Sequence, residues 1–279
     1  MIIGIPALNQ HEMTLKTLSY LKDSVQSVDN VKVVIIDNAS YPIYGVDLGN
    51  DFPFPVSVLR NNENLGFYYP ILQLYSANQQ EDIIAVMHND VFIYEYGWDE
   101  RLRYYFESDP KLGIVGFCGS PEIDILGGRG GGTMCNFRGE QGQLQEHTGK
   151  KIDDLRPALI LDSMFMAFRT ELIPKLGIDE TITPAHFYDK ILPMRAVEAG
   201  NHVAVLGVEI DHMGGTTLVG EPAFELAMRH WCQKQGLQYG ENAGAAVYME
   251  AERRWLEEYR DKKGMIPLFV DENYAVYRT

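Results

Sequence analysis

Within the first 90 residues, four short apolar runs each break off on polar side chains, and stretches of helical spacing separate them. Ile2–Pro6 leads to Asn9, Val31–Ile36 to Asp37-Asn38, Val56–Leu59 to the polar loop Arg60–Gly66, and Ile83–Met87 to His88-Asn89-Asp90. After the first run, Glu12–Lys22 carries Met13, Leu15, Leu18 and Leu21 at helical spacing, and Tyr69–Asn78 predicts a second helix. Strands alternating with helices in this way build βαβ units. The expected fold class is therefore α/β, with a Rossmann-like, mainly parallel sheet flanked by helices. In such sheets ligands bind outside the carboxyl ends of the strands. Asp37, Asn38, Asn64 and Asp90 all fall at that edge, which makes it the place to look for a site.

Further along, Gly113–Phe117 predicts another strand, and the roughly 40 residues after it show little periodicity. They include Gly127-Gly128-Arg129-Gly130-Gly131-Gly132, too glycine-dense for the interior of an element. This run reads either as a surface loop or as a lid or acceptor loop that orders on binding. Pattern returns with a strand over Leu159–Phe168, interrupted at Asp162-Ser163, and a short helix over Arg169–Leu176. A helix over residues 188–199 ends at Gly200, a good C-cap; strands follow at His202–Leu206 and Val208–His212. From Glu221 onward the chain reads as charged helices near 222–235 and 241–262, followed by an apolar tail expected to pack on the body.

With 279 residues the chain has room for one large α/β domain with a helical appendage. The 24 basic and 39 acidic side chains, a formal charge of -15, argue against extensive nucleic-acid contact. An anionic small ligand remains compatible with that charge where a divalent cation inverts the local field. Cys118, Cys135 and Cys232 form neither a disulfide framework nor a zinc pattern. No basic leader precedes Ile2, and no apolar run reaches the roughly 18 residues of a membrane span. The expectation is a cytoplasmic protein without a transmembrane segment.

Five ordered blocks resemble the inverting GT-A glycosyltransferases of family 2, which include rhamnosyl-, galactosyl- and galactofuranosyl-transferases. They are IGIPALN (3–9), VIIDNAS (34–40), NNENLGF (61–67), HNDVFI (88–93), and a long block. The last runs from DSMFMAFR (162–169) through HFYDKILPMRAVEAG (186–200) to IDHMGG (210–215). The resemblance covers residues 1–219, taken as the GT-A domain, and leaves 220–279 as a C-terminal helical extension packed on it.

Sugar transfer from a nucleoside diphosphate requires a cation at the diphosphate, a base for the acceptor hydroxyl, and a pocket that holds the reactants in line. The resemblance supplies a candidate for each. Pro6, Asn9 and Asp37 match the edge that contacts uracil and ribose, with Asn38 and Asn89 beside it; Asn64 and Gly66 match the loop over the nucleotide. His88-Asn89-Asp90 stands where the family has Asp-x-Asp, so Asp90 is the implied metal ligand, joined by His212. His in place of the first acid favours Mn²⁺ over Mg²⁺, because Mn²⁺ tolerates imidazole better. Asp189 matches the second of two acids at a helix start and is the implied catalytic base; Tyr188 replaces the first. Asp162 is implied to orient sugar or acceptor, and His186 to border the acceptor site. A single base-assisted displacement inverts the anomeric centre, unlike the paired carboxylates of retaining glycosidases.

The donor implied is a nucleoside-diphosphate sugar, with UDP-sugars favoured, and the acceptor is unassigned. Purely structural readings stand beside these. Asp37–Ser40 and Asn89-Asp90 also read as turns, Asp189 as an N-cap, and Arg60 as an exposed cation. Two other functions remain open: a catalytically weak nucleotide-sugar or carbohydrate binder, and a glycosyltransferase acting on a modified nucleobase.

Overall fold

The computed structural model describes residues 1–45, 51–130, 132–139, 149–214, 222–238, 240 and 243–278. The chain begins with β1 (Ile2–Ala7), α1 (His11–Ser24), β2 (Lys32–Asn38), β3 (Val56–Asn61), α2 (Tyr69–Ala77) and β4 (Ile83–Met87). It continues through β5 (Val91–Ile93), α3 (Trp98–Ser108), β6 (Leu112–Gly116), β7 (Cys118–Ser120), β8 (Glu122–Ile123), β9 (Met134–Phe137) and β10 (Leu155–Pro157). Then come β11 (Ile160–Leu161), β12 (Phe165–Arg169), α4 (Tyr188–Glu198), β13 (His202–Leu206) and β14 (Glu209–His212). The end of the chain forms α5 (Pro222–Lys234), α6 (Ala243–Leu256), β15 (Leu268–Val270) and β16 (Val276–Arg278).

The central sheet has the order β10-β13-β6-β12-β4-β1-β2-β3. Pairings of β1 with β2 and β4, β2 with β3, and β6 with β13 are parallel; β12 and β10 run against their neighbours. All six residues of β1 are buried, as befits a strand covered on both faces. From β1 the chain steps outward to β2 and β3, then returns to lay β4 on the other side of β1. That reversal opens a crevice beyond the carboxyl ends of β1 and β4. A smaller sheet, β11-β7-β9-β14-β5, stands beyond that edge, and β15 and β16 form a hairpin that pairs with β8.

One face of the large sheet buries Leu18, Leu21, Trp98 and Leu102 from α1 and α3. The other buries Ile71, Leu74, Leu192 and Met194 from α2 and α4, together with Ala251, Trp255 and Tyr259 from the C-terminal region. Each such large apolar side chain contributes about 1.5–3 kcal/mol of burial free energy. The extension is thus held to the body by shared core. Its expected boundary at residues 219/220 lies outside the described residues. No helix among the described residues is long and apolar enough to cross a membrane.

Three elements differ from the expectation. Helix α3 was not anticipated, although Trp98, Leu102 and Phe106 sit four residues apart and are all buried. The weakly periodic stretch after Phe117 contains β7 to β10, strands of two to four residues too short to display a period of two. Residues 131 and 140–148 of that stretch lie outside the described residues. The short helix after β12 is a 3₁₀ segment, Thr170–Lys175, with Pro174 inside it.

Candidate active site

The end of β1 and the end of β2 are tied to each other. The Asn9 amide donates to Ser40 Oγ (2.9 Å), and the Tyr41 amide donates to Asn9 Oδ1 (2.6 Å). Pro6 lies opposite Ile36, and Asp37 opposite Ala7. The Asp37 carboxylate is fully buried and accepts from the amides of Ser40 (2.8 Å) and Tyr44 (3.3 Å) and from Arg60 Nη1 (2.6 Å). Burial pushes its pKa up, but these partners outweigh burial and hold it below the ordinary value. The turn reading of 37–40 is therefore what its hydrogen bonds build. Arg60, expected as an exposed cation, is 38% exposed and is in addition an ion-pair partner of Asp37.

Asn38 Nδ2 donates to the Gly66 carbonyl (3.0 Å), and Asn64 Oδ1 accepts from the Gly66 amide (2.9 Å). Gly66 has φ of +75°, and a Cβ there would lie 2.2 Å from the Pro184 carbonyl oxygen, so only glycine fits. The loop after β3 is thereby pressed against the segment that leads into α4. Asn89 faces α1: its Nδ2 donates to Gln10 Oε1 and Thr14 Oγ1 (both 3.1 Å), and its carbonyl accepts from Thr17 Oγ1 (2.6 Å). These bonds fix the turn that carries Asp90.

Strand register brings His212 to that turn. β14 pairs antiparallel with β5 so that His212 stands opposite Val91, and the Met213 amide donates to the Asp90 carbonyl (3.1 Å). His212 Nε2 lies 3.3 Å from Asp90 Oδ1, and His88 Nδ1 lies 4.0 Å from the same oxygen. One ligand atom from each of His88, Asp90 and His212 falls within 4.8 Å of the others. Among the described residues this is the one set of three such side chains placed to share an ion. Burial, helped by the charge of His212, pulls the His88 pKa down to about 4, so its imidazole is neutral at pH 7. Its Nε2 is buried with no hydrogen-bond partner among the described residues. A neutral imidazole with an orphaned nitrogen beside a carboxylate and a second imidazole suits a borderline-hard divalent cation. Burial acts downward on His212 too, but the hydrogen bond and charge of Asp90, with Asp162 beyond, raise its pKa above the ordinary value. Gly215, the second glycine after His212, lies outside the described residues.

Asp162 sits in the break between β11 and β12, where its amide donates to the Cys118 carbonyl (2.8 Å). Its carboxylate accepts from the Met164 amide (3.1 Å) and from Arg129 Nη2 (2.6 Å). Burial works upward on this carboxyl, yet the charges of Arg129 and His212 hold its pKa at about 2. Arg129 Nη2 also lies 3.7 Å from Asp189 Oδ2. Burial raises Asp189 to about 6; Arg129 opposes that rise and Asp162 adds to it. Asp189 is in the first turn of α4 but does not cap it: the N-cap is Phe187, at φ of +64°, with no side-chain cap hydrogen bond. The capping reading of Asp189 is thus corrected: α4 starts one residue earlier, and its cap position falls on Phe187, which has no side chain able to accept from an amide. The His186 ring stands edge-on to Tyr248 of α6 at 5.0 Å, and burial lowers its pKa.

The structure therefore brings Asp90, His88 and His212 together, and joins them electrostatically through Asp162 to Arg129 and Asp189. Sequence reasoning missed Arg129. It is the one cation within the run 127–132, and a charged side chain flanked by glycines was the available signal. Asn38, Asn64 and Gly66 form a second cluster, and Pro6, Asn9 and Asp37 a third, along the same sheet edge.

No curated protein sequence matches the chain. Solved structures do. GalNAc-T7 with UDP, GalNAc and Mn²⁺ superposes with a TM-score of 0.54 at 11% identity over 96% of this chain, which spans 58% of that chain. The mannosyltransferase PcManGT from Pyrobaculum calidifontis with GDP-Man and Mn²⁺ gives 0.51 at 11% identity, over 92% of this chain and 69% of the other. TarS 1-349 from S. aureus with UDP-GlcNAc gives 0.50 at 14%, over 93% and 73%. The fold is that of the GT-A glycosyltransferases. Residues 2–177 match the sequence model of glycosyl transferase family 2, and the chain belongs to that family.

Proposed function

We propose that this protein transfers a hexosyl or pentosyl group, with inversion, from a nucleoside-diphosphate sugar to an acceptor hydroxyl, and that UDP-sugars are its preferred donors. The observation that carries the reading is the pairing of a three-ligand cluster with a carboxyl of raised pKa, linked through Asp162 at the sheet edge. His88, Asp90 and His212 would hold Mn²⁺ or Mg²⁺; bound there, the cation neutralises the diphosphate and the charge that develops on the leaving nucleotide. Solved structures similar to this chain include UDP, UDP-GlcNAc and GDP-Man complexes, two of them with Mn²⁺, which supports the donor class.

Asp189 takes the proton of the acceptor hydroxyl as that oxygen attacks the anomeric carbon. A base that titrates near 6 is ionised at neutral pH and still basic enough to accept a proton in the transition state. Asp162 orients sugar or acceptor, and His186 borders the acceptor side. Pro6, Asn9 and Asp37 form the edge for base and ribose. Asp37 acts there by shape, leaving the half-exposed Arg60 to face the ligand. Asn38, Asn64 and Gly66 set the loop over the nucleotide, and Asn89 fixes the Asp90 turn. Residues 1–219 form the transferase domain and 220–279 a helical extension packed on it. The three free, buried cysteines fit a reducing cytoplasm.

A thermal-shift panel of UDP-, GDP-, dTDP- and CMP-sugars, with and without Mn²⁺, tests this reading. A donor at about 100 times its Kd stabilises by about 2.7 kcal/mol. Asp90→Ala is expected to abolish the Mn²⁺-dependent part and leave the ligand-free melting point nearly unchanged. Equal Mn²⁺ dependence in the variant would remove Asp90 from the metal site.

A further inference from the structure

Arg129 has no part in the resemblance that located the other site residues, yet it is built into the site more firmly than most of them. Its guanidinium is three-quarters buried and spans two carboxylates, 2.6 Å from Asp162 and 3.7 Å from Asp189. The backbone that presents it is locked at several points. Ser120 Oγ donates to the Arg129 carbonyl (2.5 Å), and the Gly128 amide donates to Asp124 Oδ1 (2.7 Å). Lys190, the residue after Asp189, donates to the Gly127 carbonyl (2.8 Å) while its ammonium lies over the rings of Phe187 and Trp255. Gly127 itself has φ of +80°, and a Cβ there would come within 2.0 Å of the Trp255 ring. The turn is thus clamped between the start of α4 and helix α6, with its single cation directed inward.

Two carboxylates this close to a shared guanidinium face a simple choice. With the cation present both ionise; without it, mutual repulsion forces one of them to keep its proton. Asp162 is the better solvated by hydrogen bonds, since the Met164 amide also donates to it, so Asp189 would be the one to stay protonated. A protonated Asp189 cannot accept a proton from an acceptor hydroxyl.

We propose that Arg129 is the positioning residue of the general base: it bridges Asp189 and Asp162, holds Asp189 as an oriented carboxylate, and so sets the pH at which transfer begins. The proposal rests on the base role of Asp189 given above. The groups that face Asp189 are Arg129 from the glycine turn, Asp162 from the β11–β12 break, Tyr188 and Lys190 from its own helix, and Tyr248 from α6. Lys190 in turn faces Asp124 and Glu252. Of the two cations, only Arg129 also contacts the second carboxylate, which is why its removal differs from removal of Lys190.

The test is ¹³C NMR of the full chain labelled at aspartate Cγ, with the Asp189 resonance identified by its loss in Asp189→Asn. In Arg129→Gln the Asp189 titration midpoint is expected to rise by at least one pH unit. Arg129→Lys, which keeps the charge without the fork, should recover most of that rise, and it serves as the folded control if the Gln variant melts early. Adding Asp162→Asn to Arg129→Gln should bring the midpoint back down, because the repelling partner is gone. A midpoint that stays within 0.3 pH units of wild type in both Arg129 variants overturns the proposal (the threshold is about 0.4 kcal/mol). Turnover is read in parallel as nucleotide release from a panel of UDP-, GDP- and dTDP-sugars with Mn²⁺. Its acid limb should move with the NMR midpoint. A midpoint that moves while the limb stays in place, or an NMR shift in a protein that releases no nucleotide, sinks the base role of Asp189 and leaves Arg129 as a structural clamp only.

Discussion

Replacing Asp189 by Asn should make the protein more stable and much less active. The sign comes from burial. The carboxyl titrates near its ordinary value of 3.8 in the unfolded chain and near 6 in the folded one, where desolvation is the largest influence. Between those values the folded state binds more protons than the unfolded state, so stability falls as pH rises from about 4 to about 6 and is level above. At about 1.4 kcal/mol per pH unit, the span from 3.8 to about 6 amounts to roughly 3 kcal/mol of destabilisation carried by the ionised carboxylate at neutral pH. Asparagine has the same shape and no charge to bury. Phe187 rather than Asp189 holds the cap position of α4, and the backbone amide that the Asp189 carboxylate accepts from is equally within reach of an asparagine carbonyl. Asp189→Asn should therefore match wild type near pH 4 and exceed it by up to about 3 kcal/mol at pH 8, several degrees in Tm for a chain of this size. Turnover should drop by about 10²–10⁴-fold, the usual contribution of a positioned base, with donor binding retained. Thermal denaturation across pH 4–8, paired with nucleotide-release rates, reads both effects. A stability difference that does not change with pH, or a variant less stable at pH 8, would refute the desolvation argument. Near-normal turnover would move the base role to another carboxylate, with Asp162 first to test.

Two further outcomes follow from the same geometry. His88→Phe preserves a ring beside Phe67, 4.7 Å away, but removes the orphaned Nε2. Its Kd for Mn²⁺ by calorimetry should rise by at least about tenfold, as losses at metal sites generally do, and an unchanged Kd would exclude His88 from the ligand set. Gly127→Ala places a methyl against the Trp255 ring in a left-handed conformation, and about 1–3 kcal/mol of stability should be lost in a denaturant titration. If that variant is as stable as wild type, the turn does not pack on α6 as described.

The sheet and the polar edge that carries the candidate site were legible because each strand of the first half is a contiguous run with its own punctuation. Ile83–Met87 ending on His88-Asn89-Asp90 fixes both a buried strand and the polar turn at its carboxyl end, with no long-range information needed. The place of His212 was legible only through its resemblance to a block after a late strand. The physical reason it reaches Asp90 is the antiparallel register of β14 on β5, and a three-residue strand such as β5 has no period to read. Asp189 was found at the start of its helix, but the capping role read beside its base role does not hold, because whether an acid is the N-cap or lies two residues past it depends on where the helix begins, here set by the positive φ of Phe187.

Arg129 shows where such reading stops. Its neighbours announce a chain reversal, since glycine-dense segments adopt conformations closed to other residues, but a reversal has no inherent direction. What turns this one inward is a set of contacts from elements far along the chain: Ser120 beneath it, Lys190 at its flank, and Trp255 against Gly127. None of those partners has a spacing that points to the turn. Two of them belong to α4 and α6, so the helices of the C-terminal half help to aim a cation at a carboxylate pair whose members come from the β11–β12 break and α4. Trp255 packs against Gly127, two residues from Arg129, so on the role proposed for Arg129 the Gly127→Ala change should disturb the Asp189 titration as well as the stability. A Gly127→Ala protein that is destabilised yet shows a wild-type Asp189 midpoint would separate the two roles and confine the extension to packing.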